Sequence, residues 1–225
     1  MIKKIYFEEI ESTNDYALNH DEPNDFAVIA KKQTGGKGTK GRSFSSEVGG
    51  AYLTLVRYYP LRVEQSFKIM VSSCLAVAKT LASYGVNASI KWANDVYVNG
   101  KKICGILIKN VFEGEFVKKS VIGIGVNLNN EIPSALKNIA VTAKEIINRE
   151  IDAGEFIDRL IENLYQDYSM DEYRLKNLVL GRKIKVIEGE NSYFARATEI
   201  ADNGNLILSD GKVLSYGEVS VAVRY

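Results

Sequence analysis

Residues 33–46 read Gln-Thr-Gly-Gly-Lys-Gly-Thr-Lys-Gly-Arg-Ser-Phe-Ser-Ser, and nowhere else in the chain are glycines, cations and hydroxyls so concentrated. The glycines of this stretch are Gly35, Gly36, Gly38 and Gly41. Glycine allows the backbone to take positive φ and to approach a ligand closely. Consecutive exposed N–H groups in such a loop form a concavity that binds anions. Lys37, Lys40 and Arg42 add full positive charges to it. The stretch therefore predicts a loop that closes over phosphate.

Two known phosphate-binding fingerprints partly match this loop. Gly36-x-Gly38-x-x-Gly41 fits the dinucleotide pattern, and the same loop misses the Walker A pattern only by an arginine in place of lysine. Both patterns require a strand before the loop and a helix directly after it. Residues 26–30 predict the strand, but residues 43–50 are rich in Ser and Gly, and residues 51–59 alternate like a second strand. A strand–loop–strand site is therefore predicted; a solvated basic loop without a ligand stays an alternative.

The composition indicates an ordinary globular protein of 225 residues, with 46% hydrophobic and 25% charged residues. A net charge of +1 disfavours a dedicated nucleic-acid-binding domain, which usually carries a marked basic excess. The two cysteines, Cys74 and Cys104, lie in apolar segments, and we see no signal peptide and no apolar run long enough to span a membrane. These features predict a cytoplasmic protein without membrane contact.

The first half of the chain predicts strands and helices around the loop. Ser12 and Thr13 are suited to cap a helix that runs to about His20, although hydroxyls at a helix start also bind polar ligands. His20 is the single histidine and is predicted to be a solvated residue at the helix end, which disfavours a histidine-based triad. Residues 64–84 have the apolar spacing of a core helix, with Gly85 as its stop.

The second half predicts hairpins, two helices and a small β unit. Asn99-Gly100 is typical of a type I′ hairpin, and the glycines at 123 and 125 inside a strand indicate that a ligand or another backbone comes close. Residues 134–148 and 155–177 look helical. Beyond residue 180, short β runs alternate with turns. We predict an α+β protein with a mixed sheet, divided into a domain of residues 1–180 and a small β-barrel of residues 181–225.

Four blocks and an opening triplet, taken in order, resemble the biotin protein ligases. The family pattern is Gln-Thr-x-Gly-Arg-Gly-x-x-Gly-Arg-x-Trp, Lys-Trp-Pro-Asn-Asp, Lys-x-x-Gly-Ile-Leu and Gly-x-Gly-x-Asn. The corresponding blocks here are residues 33–44, 91–95, 102–107 and 123–127, and an opening Ser-Thr-Asn stands at residues 12–14. The resemblance extends over essentially the whole chain. It implies a biotin/lipoate ligase fold with a small C-terminal SH3-like barrel, and a short form lacking the DNA-binding helix-turn-helix domain of larger members.

The resemblance also implies a reaction and a set of site residues. In the family, biotin is activated with ATP to biotinyl-AMP and then transferred to a lysine of a biotin carboxyl carrier protein. The implied catalytic residues are Lys102, Arg42 and Asp95. Those implied for biotin are Ser12, Thr13, Asn14, Gln33, Lys37, Gly38, Thr39, Tyr52 and Lys102. Those implied for the nucleotide are Gly36, Lys37, Lys40, Arg42, Phe44, Lys91, Asn94 and Asn127, with magnesium accompanying ATP near Asn127.

Lys102 and Asp95 have specific implied roles, and the role of Asp95 has an alternative. By resemblance, Lys102 bridges the biotin carboxylate and the α-phosphate and later stabilises the carbonyl oxygen under attack. By resemblance, Asp95 orients a lysine or takes the proton of the carrier lysine; simple pairing with Lys91 is the alternative. Tyr52 is expected to pack along the biotin pocket, and Phe44 takes the place of a family tryptophan near the adenine.

Four departures from the family pattern bear on these roles. Lys37 keeps the charge of an arginine but loses its bidentate fork. Thr39 replaces an arginine that touches both substrates in the family, so we expect the activated intermediate to be held less tightly. Ala93 for proline and Phe44 for tryptophan look tolerable.

Alternatives remain open at the level of sequence. A lipoate-protein ligase would share the fold and the acyl-adenylate chemistry, and a single-strand nucleic-acid module would also use a basic loop beside a small barrel. An exposed edge strand is able to pair two copies, so a homodimer is a further alternative to a monomer.

Overall fold

The computed structural model describes residues 2–58, 60–216 and 220–223. Within these residues the chain forms two β-sheets and five α-helices. The helices are α1 (Thr13–Leu18), α2 (Phe67–Ser83), α3 (Ala143–Ile147), α4 (Ala153–Leu164) and α5 (Met170–Leu175). The mixed sheet, the helices and a separate antiparallel C-terminal sheet agree with the predicted α+β class.

The larger sheet carries the strands of residues 3–126. They are β1 (Lys3–Ile10), β2 (Phe26–Gln33), β3 (Ala51–Arg57), β4 (Leu61–Arg62), β5 (Ser89–Lys91), β6 (Asp95–Val98), β7 (Lys101–Glu113) and β8 (Phe116–Val126). Their order is β1-β2-β3-β8-β7-β6-β5, with β4 added beside β8. Only β1 and β2 pair in parallel, because α1 crosses over between them. The long β7–β8 hairpin forms the centre of the sheet, and its register sets Gly105 opposite Gly125.

The predicted strand–loop–strand arrangement is confirmed. β2 and β3 are antiparallel neighbours, and residues 34–50 between them contain a single 3₁₀ turn at Thr39–Gly41. The dinucleotide and Walker A folds are therefore excluded here. The predicted strand of residues 51–59 ends at Arg57 in the structure, and Tyr59 lies outside the described residues. Of the four loop glycines only Gly41 has positive φ, at 70°, whereas Lys40 is itself left-handed at 59°.

The two faces of the large sheet are covered differently. One face packs against α2 and α4 in the main core, which contains the alternating residues Ala27, Leu53 and Ile122. The opposite face is covered by α1, where Ala17 packs on Phe26 and neighbouring valines. α1 is only six residues long, so it covers part of this face. The first cavity described below lies on the rest of this face, at the start of α1.

The turn predictions are confirmed by backbone geometry. Gly85 follows α2 with φ of 89°, and its N–H donates to Ala82 O. Asn99 and Gly100 both have positive φ, at 49° and 79°, as a type I′ turn requires. This turn places Lys102 close to the start of β7, beside the cavities.

The two helices predicted after residue 134 were wrong in extent. A 3₁₀ turn at Ser134–Leu136 is followed by turns at residues 137–139, and the chain then pairs with Lys102. The Lys102 N–H donates to Ile139 O, and the Lys102 carbonyl accepts from Val141 N, so no helix continues through residues 139–141. α3 then begins at a capping box formed by Thr142 and Glu145 and ends at Asn148, which is left-handed. The predicted helix of residues 155–177 is broken, because a second capping box at Ser169 starts α5 separately.

The C-terminal strands form an antiparallel sheet in the order β12-β11-β10-β9-β13. The strands are β9 (Lys183–Glu188), β10 (Asn191–Ile200), β11 (Leu206–Leu208), β12 (Val213–Leu214) and β13 (Ser220–Val223). Its buried residues, such as Ile184 and Leu206, belong to the same core as α2. Trp92 Nε1, from the large sheet region, donates to Gly204 O of the C-terminal region at 2.8 Å. The division near residue 180 therefore stays a prediction.

Both cysteines are buried thiols, as the apolar flanking sequence predicts. Burial raises the pKa of the Cys74 thiol well above its usual range. No helix in the described part of the chain is long and apolar enough to cross a lipid bilayer.

Candidate functional site

One end of the site is built on the large sheet and the start of α1, and its side chains are hydrogen-bonded to each other. Thr13, at the start of α1, donates from both its N–H and its hydroxyl to Gln33 Oε1, at 2.9 and 3.0 Å. The buried Thr54 donates to Thr13 Oγ1 at 2.9 Å, and Gln33 Nε2 donates to Ser46 Oγ at 2.9 Å. Ser12 caps α1 by accepting from Asp15 N. Because these side chains hold each other, their positions are fixed by the sheet and the helix start.

Asn14 is the least satisfied member of this end. The residue is buried, and its Nδ2 donates to Leu107 O at 3.4 Å. Its Oδ1 has no hydrogen-bond partner in the described part of the protein. A Cβ atom at Gly123 would stand 2.8 Å from Asn14 Nδ2, which explains the glycine at this strand position. A buried acceptor without a partner is costly, so a ligand N–H here would be stabilised.

Lys102 and Asp95 form the charged centre of the site. Lys102 Nζ lies 2.6 Å from Asp95 Oδ1, and both side chains are largely shielded from solvent. The pairing expected between Asp95 and Lys91 is therefore not the one formed. Lys91 instead donates to Tyr97 at 3.3 Å, and burial lowers the pKa of its ammonium group despite the nearby carboxylate of Asp95.

The loop supplies the remaining cations. Lys37 pairs with Asp15, which also accepts from Lys109 Nζ at 3.1 Å. Burial alone would raise the pKa of Asp15, but hydrogen bonds from Lys37 and Lys109 outweigh it and hold the pKa below its usual range. Arg42 folds back on Thr39 and donates to its carbonyl at 3.2 Å and to its hydroxyl at 3.1 Å.

Three cavities meet at Thr39, which lines all of them. The first is about 40 Å³ and lies between the sheet end and the loop. The second, of about 480 Å³, lies between the loop and residues 132–140, and Lys102 lines both the first and the second. The third, of about 360 Å³, lies between Asp95 and the C-terminal sheet.

Most predicted site residues come together around these cavities. The first cavity is lined by Ser12, Thr13, Asn14, Gln33, Lys37, Gly38, Thr39, Phe44, Asn94 and Lys102. The second is lined by Arg42, Phe44, Lys91, Asp95, Lys102 and Asn127. The third is lined by Lys40, Arg42, Lys91, Asn94 and Asp95. Burial is the main cause of the lowered pKa of the Lys40 ammonium group, with nearby Arg42 adding to it.

Two predicted residues line none of these cavities, and one expectation about the loop needs correction. Tyr52 does not line the first cavity: it is fully buried and donates to Glu47 O at 2.6 Å. Gly36 lines none of the three cavities, and its carbonyl accepts from Phe44 N inside the loop. The expected row of exposed loop N–H groups is incomplete, because Gly35 N donates to Glu11 O and Gly38 N to Arg42 O. The loop folds on itself, so its side-chain cations carry most of its attraction for anions.

His20 lines none of the three cavities, and it is half-buried two residues beyond the end of α1, in contrast to the solvated residue that the sequence predicts. Its ring stacks on Tyr16 and lies edge-on to Phe26, and its Nε2 is 2.7 Å from Glu22 Oε1.

Sequence reasoning missed several residues of the site. Thr54 is one, although a single threonine inside the apolar strand of residues 51–56 was a usable signal. Asp15 and Lys109 are others, and they are neighbours of known motifs rather than members of them. The segment of residues 132–140, which walls the second cavity, gave no signal because its role depends on the pairing with Lys102.

The comparisons with known proteins agree with this geometry. The family model of the Biotin/lipoate A/B protein ligase family matches residues 6–127, which include all four loop and strand blocks. The chain belongs to this family. The family is accordingly assigned from more than half of the chain.

Among individual members, the chain is 28% identical over 222 residues to the bifunctional ligase/repressor BirA of Bacillus subtilis, covering 91% of this chain and 68% of that protein. It is 30% identical over 146 residues to the biotin–[acetyl-CoA-carboxylase] ligase of Paracoccus denitrificans, covering 59% of this chain and 58% of that one. The structure matches biotin protein ligase from Aquifex aeolicus in complex with biotin and ATP, with a TM-score of 0.79, 26% identity and 100% of each chain covered.

Proposed function

We propose that this protein is a biotin protein ligase, which joins biotin to ATP and then transfers the biotinyl group to a lysine of a carrier protein. The observation that carries the proposal is the convergence of Lys102 with residues 37–39 on the cavity formed by Thr13, Asn14 and Gln33. Membership of the family and the named relatives support it.

The first step brings two anions together. A carboxylate oxygen of biotin attacks the α-phosphorus of ATP, the bond to the β-phosphate breaks, and pyrophosphate leaves with its electron pair. Catalysis of such a step rests mainly on positioning and on charge. Lys102 lies where the first and second cavities meet, so its ammonium group is suited to contact both the carboxylate and the α-phosphate. Arg42 adds a second cation at the rim.

The sheet-built end suits the polar bicyclic ring of biotin. Asn14 Oδ1 offers an acceptor that has no partner in the described residues, and Ser12, Thr13 and Gln33 surround it with hydroxyl and amide groups. A ring N–H donating to Asn14 Oδ1 would remove a desolvation penalty of about 1–3 kcal/mol. The biotin assignments of Ser12, Thr13, Asn14, Gln33, Lys37, Gly38 and Thr39 rest on this cavity.

The second cavity suits the nucleotide. Its volume of about 480 Å³ is in the range of ligand pockets, roughly 300–1,000 Å³. Phe44 and residues 132–140 provide apolar walls for a base, while Lys91, Lys102 and Arg42 face the side where phosphates would lie. Asn127 is buried at its base, with Oδ1 accepting from Asn130 Nδ2 at 3.2 Å.

Magnesium is proposed to arrive with the phosphates of ATP. In the described residues there is no cluster of three His, Cys, Asp or Glu side chains able to cage a metal ion. The chain instead offers one carboxylate, Asp95, and one amide oxygen, from Asn127, beside the second cavity, which suits an ion held mostly by phosphate oxygens and water. Bound there, the ion would offset phosphate charge.

The carrier lysine completes the reaction. Its neutral amine attacks the carbonyl carbon of the biotinyl adenylate, the bond to the phosphate oxygen breaks, and AMP leaves. The ammonium group must first lose a proton, and Asp95 lies between the second and third cavities, where its carboxylate can accept one. A biotin carboxyl carrier protein is the partner that this step requires. A cytoplasmic setting and a homodimer stay predictions.

Exchange of labelled pyrophosphate into ATP tests the proposal directly. The expected result is exchange that depends on biotin, with lipoate giving none. Exchange with lipoate but not with biotin would assign the protein to the lipoate branch of the family. Absence of exchange with either acid, together with salt-sensitive binding to a single-stranded oligonucleotide, would favour the nucleic-acid alternative.

A further inference from the structure

The ring of Phe44 lies on the floor of the first cavity, over two paired glycines. A Cβ atom at Gly125 would stand 2.6 Å from Phe44 Cε1, and one at Gly105 would stand 3.2 Å from Phe44 Cε2. Gly105 and Gly125 are directly opposite each other in the β7–β8 hairpin. The missing side chains therefore create a flat place on the sheet, and the aromatic ring fills it.

The same place lies next to the charged centre. Lys102 Nζ is 5.9 Å from the centroid of the Phe44 ring and would be 3.0 Å from a Cβ atom at Gly105. The volume left in the first cavity is about 40 Å³, far below the roughly 300–1,000 Å³ of pockets that hold small ligands. A bicyclic acid with a pentanoyl chain does not fit in this space while the ring is there.

The ring is able to leave without a rearrangement of the loop backbone. Phe44 N donates to Gly36 O at 2.8 Å, and Phe44 O accepts from Ser46 Oγ at 3.1 Å, so the backbone is fastened on both sides. Rotation about the Cα–Cβ bond moves only the ring. Phe44 also lines the second cavity, which has about 480 Å³ to receive it.

We propose that Phe44 sets the affinity for biotin by occupying the place over Gly105 and Gly125 that the carboxylate-bearing chain of biotin must take. Biotin displaces the ring toward the second cavity, where it forms an apolar wall for the nucleotide base. This inference rests on the proposed function. One side chain thus links the two substrate cavities, and each substrate favours the ring position that the other requires, which is a reciprocal coupling.

Calorimetric titration of biotin in the absence of nucleotide tests this role. Phe44→Ala is expected to bind biotin about fivefold to tenfold more tightly than wild type, because the ring contacts that compete with biotin are gone. Phe44→Leu keeps most of the volume and is expected to stay within about twofold of wild type. Phe112→Ala, an exposed phenylalanine on β7, is the matched control and should leave the affinity unchanged.

A second titration, with a non-hydrolysable ATP analogue present, measures the coupling. Wild-type affinity for biotin should increase with the analogue, and Phe44→Ala should gain less. Equal or weaker binding of biotin by Phe44→Ala without nucleotide, in a variant that melts at the wild-type temperature, would overturn the inference alone. Failure of wild type and all variants to bind biotin would reject the proposed function, and the inference with it.

Discussion

The two ends of the site are built in opposite ways. At the sheet end, Thr13, Gln33 and Thr54 are joined by hydrogen bonds of 2.9–3.0 Å. At the loop end, the Lys37 side chain is half exposed, and the Arg42 side chain donates to Thr39 of the same loop.

This difference follows from what each end must recognise. A neutral polar ring is selected by donors and acceptors at fixed positions, because an unmatched buried group is costly. Phosphate charge acts over longer distances, so exposed cations that are only approximately placed still attract it. The site therefore needs a rigid sheet for one substrate and accepts a solvated loop for the other.

Lys102→Ala should have the largest effect on the rate of biotin activation, because Lys102 lines both the first and the second cavity. Removing its charge takes away the group that offsets repulsion between carboxylate and α-phosphate, and biotin-dependent pyrophosphate exchange should fall by about 10²–10³-fold. The matched control is Lys101→Ala, since Lys101 is the preceding residue and donates to Lys137 O. A Lys102→Ala variant that keeps more than about a tenth of the wild-type rate would contradict the assigned role.

Thr54→Val tests the sheet end. The variant keeps the shape of a fully buried residue but removes the hydroxyl that donates to Thr13, so the positions of Thr13 and Gln33 are less fixed. The KM for biotin should rise about tenfold with little change in kcat, as expected when one buried hydrogen bond is lost. Ser73→Ala removes another buried hydroxyl, on α2, and should leave KM unchanged. If both variants raise KM equally, the effect is one of general stability.

Thr39→Arg tests how the loop end holds the activated intermediate. Thr39 lines all three cavities, and an arginine there would add a forked cation toward the phosphate. Enzyme-bound biotinyl-AMP, trapped by rapid filtration, should be retained about fivefold longer than in wild type. Thr39→Gln adds length without charge and serves as the control. Retention unchanged by the arginine would show that Lys37 or Lys40 already supplies this contact.

Asp15→Asn should have the smallest effect, and one that depends on pH. The folded state holds the pKa of Asp15 below its ordinary value of 3.8, so its stabilising contribution is present above pH 3.8 and is lost as pH falls through the lower folded value. Urea unfolding should show wild type more stable than the variant at pH 7, with the difference shrinking toward pH 3. A difference that stays constant over this range would mean that the ion pairs with Lys37 and Lys109 contribute nothing.

Much of this arrangement was predictable from short patterns. The strand–loop–strand order followed from residues 26–30 and 51–59, and the type I′ turn at Asn99-Gly100 placed Lys102 correctly. The glycines at 123 and 125 indicated close approach of a ligand or another backbone, whereas the groups that approach them in the structure are the side chains of Asn14 and Phe44. These features depend on residues that are close together in the chain, so they can be predicted from a single sequence.

Features that depend on contacts between distant segments could not be predicted. The helix expected over residues 134–148 was wrong because β7 pairs with residues 139–141, and no local signal indicates that pairing. The depth of Tyr52 could not be predicted either, because the alternation of a strand gives the face of a side chain but not how deeply it is buried. The pairing of Asp95 with Lys102 in place of Lys91 depends on the register of β6 against β7.

The hydrogen bond from Trp92 to Gly204 has a practical consequence. Trp92 is the single tryptophan of the chain, it is 5% exposed, and it stands where the two sheets meet. Its fluorescence therefore reports on one location without any labelling. A red shift of the emission at denaturant concentrations that leave the far-ultraviolet circular dichroism unchanged would reveal that the C-terminal strands separate before the large sheet unfolds.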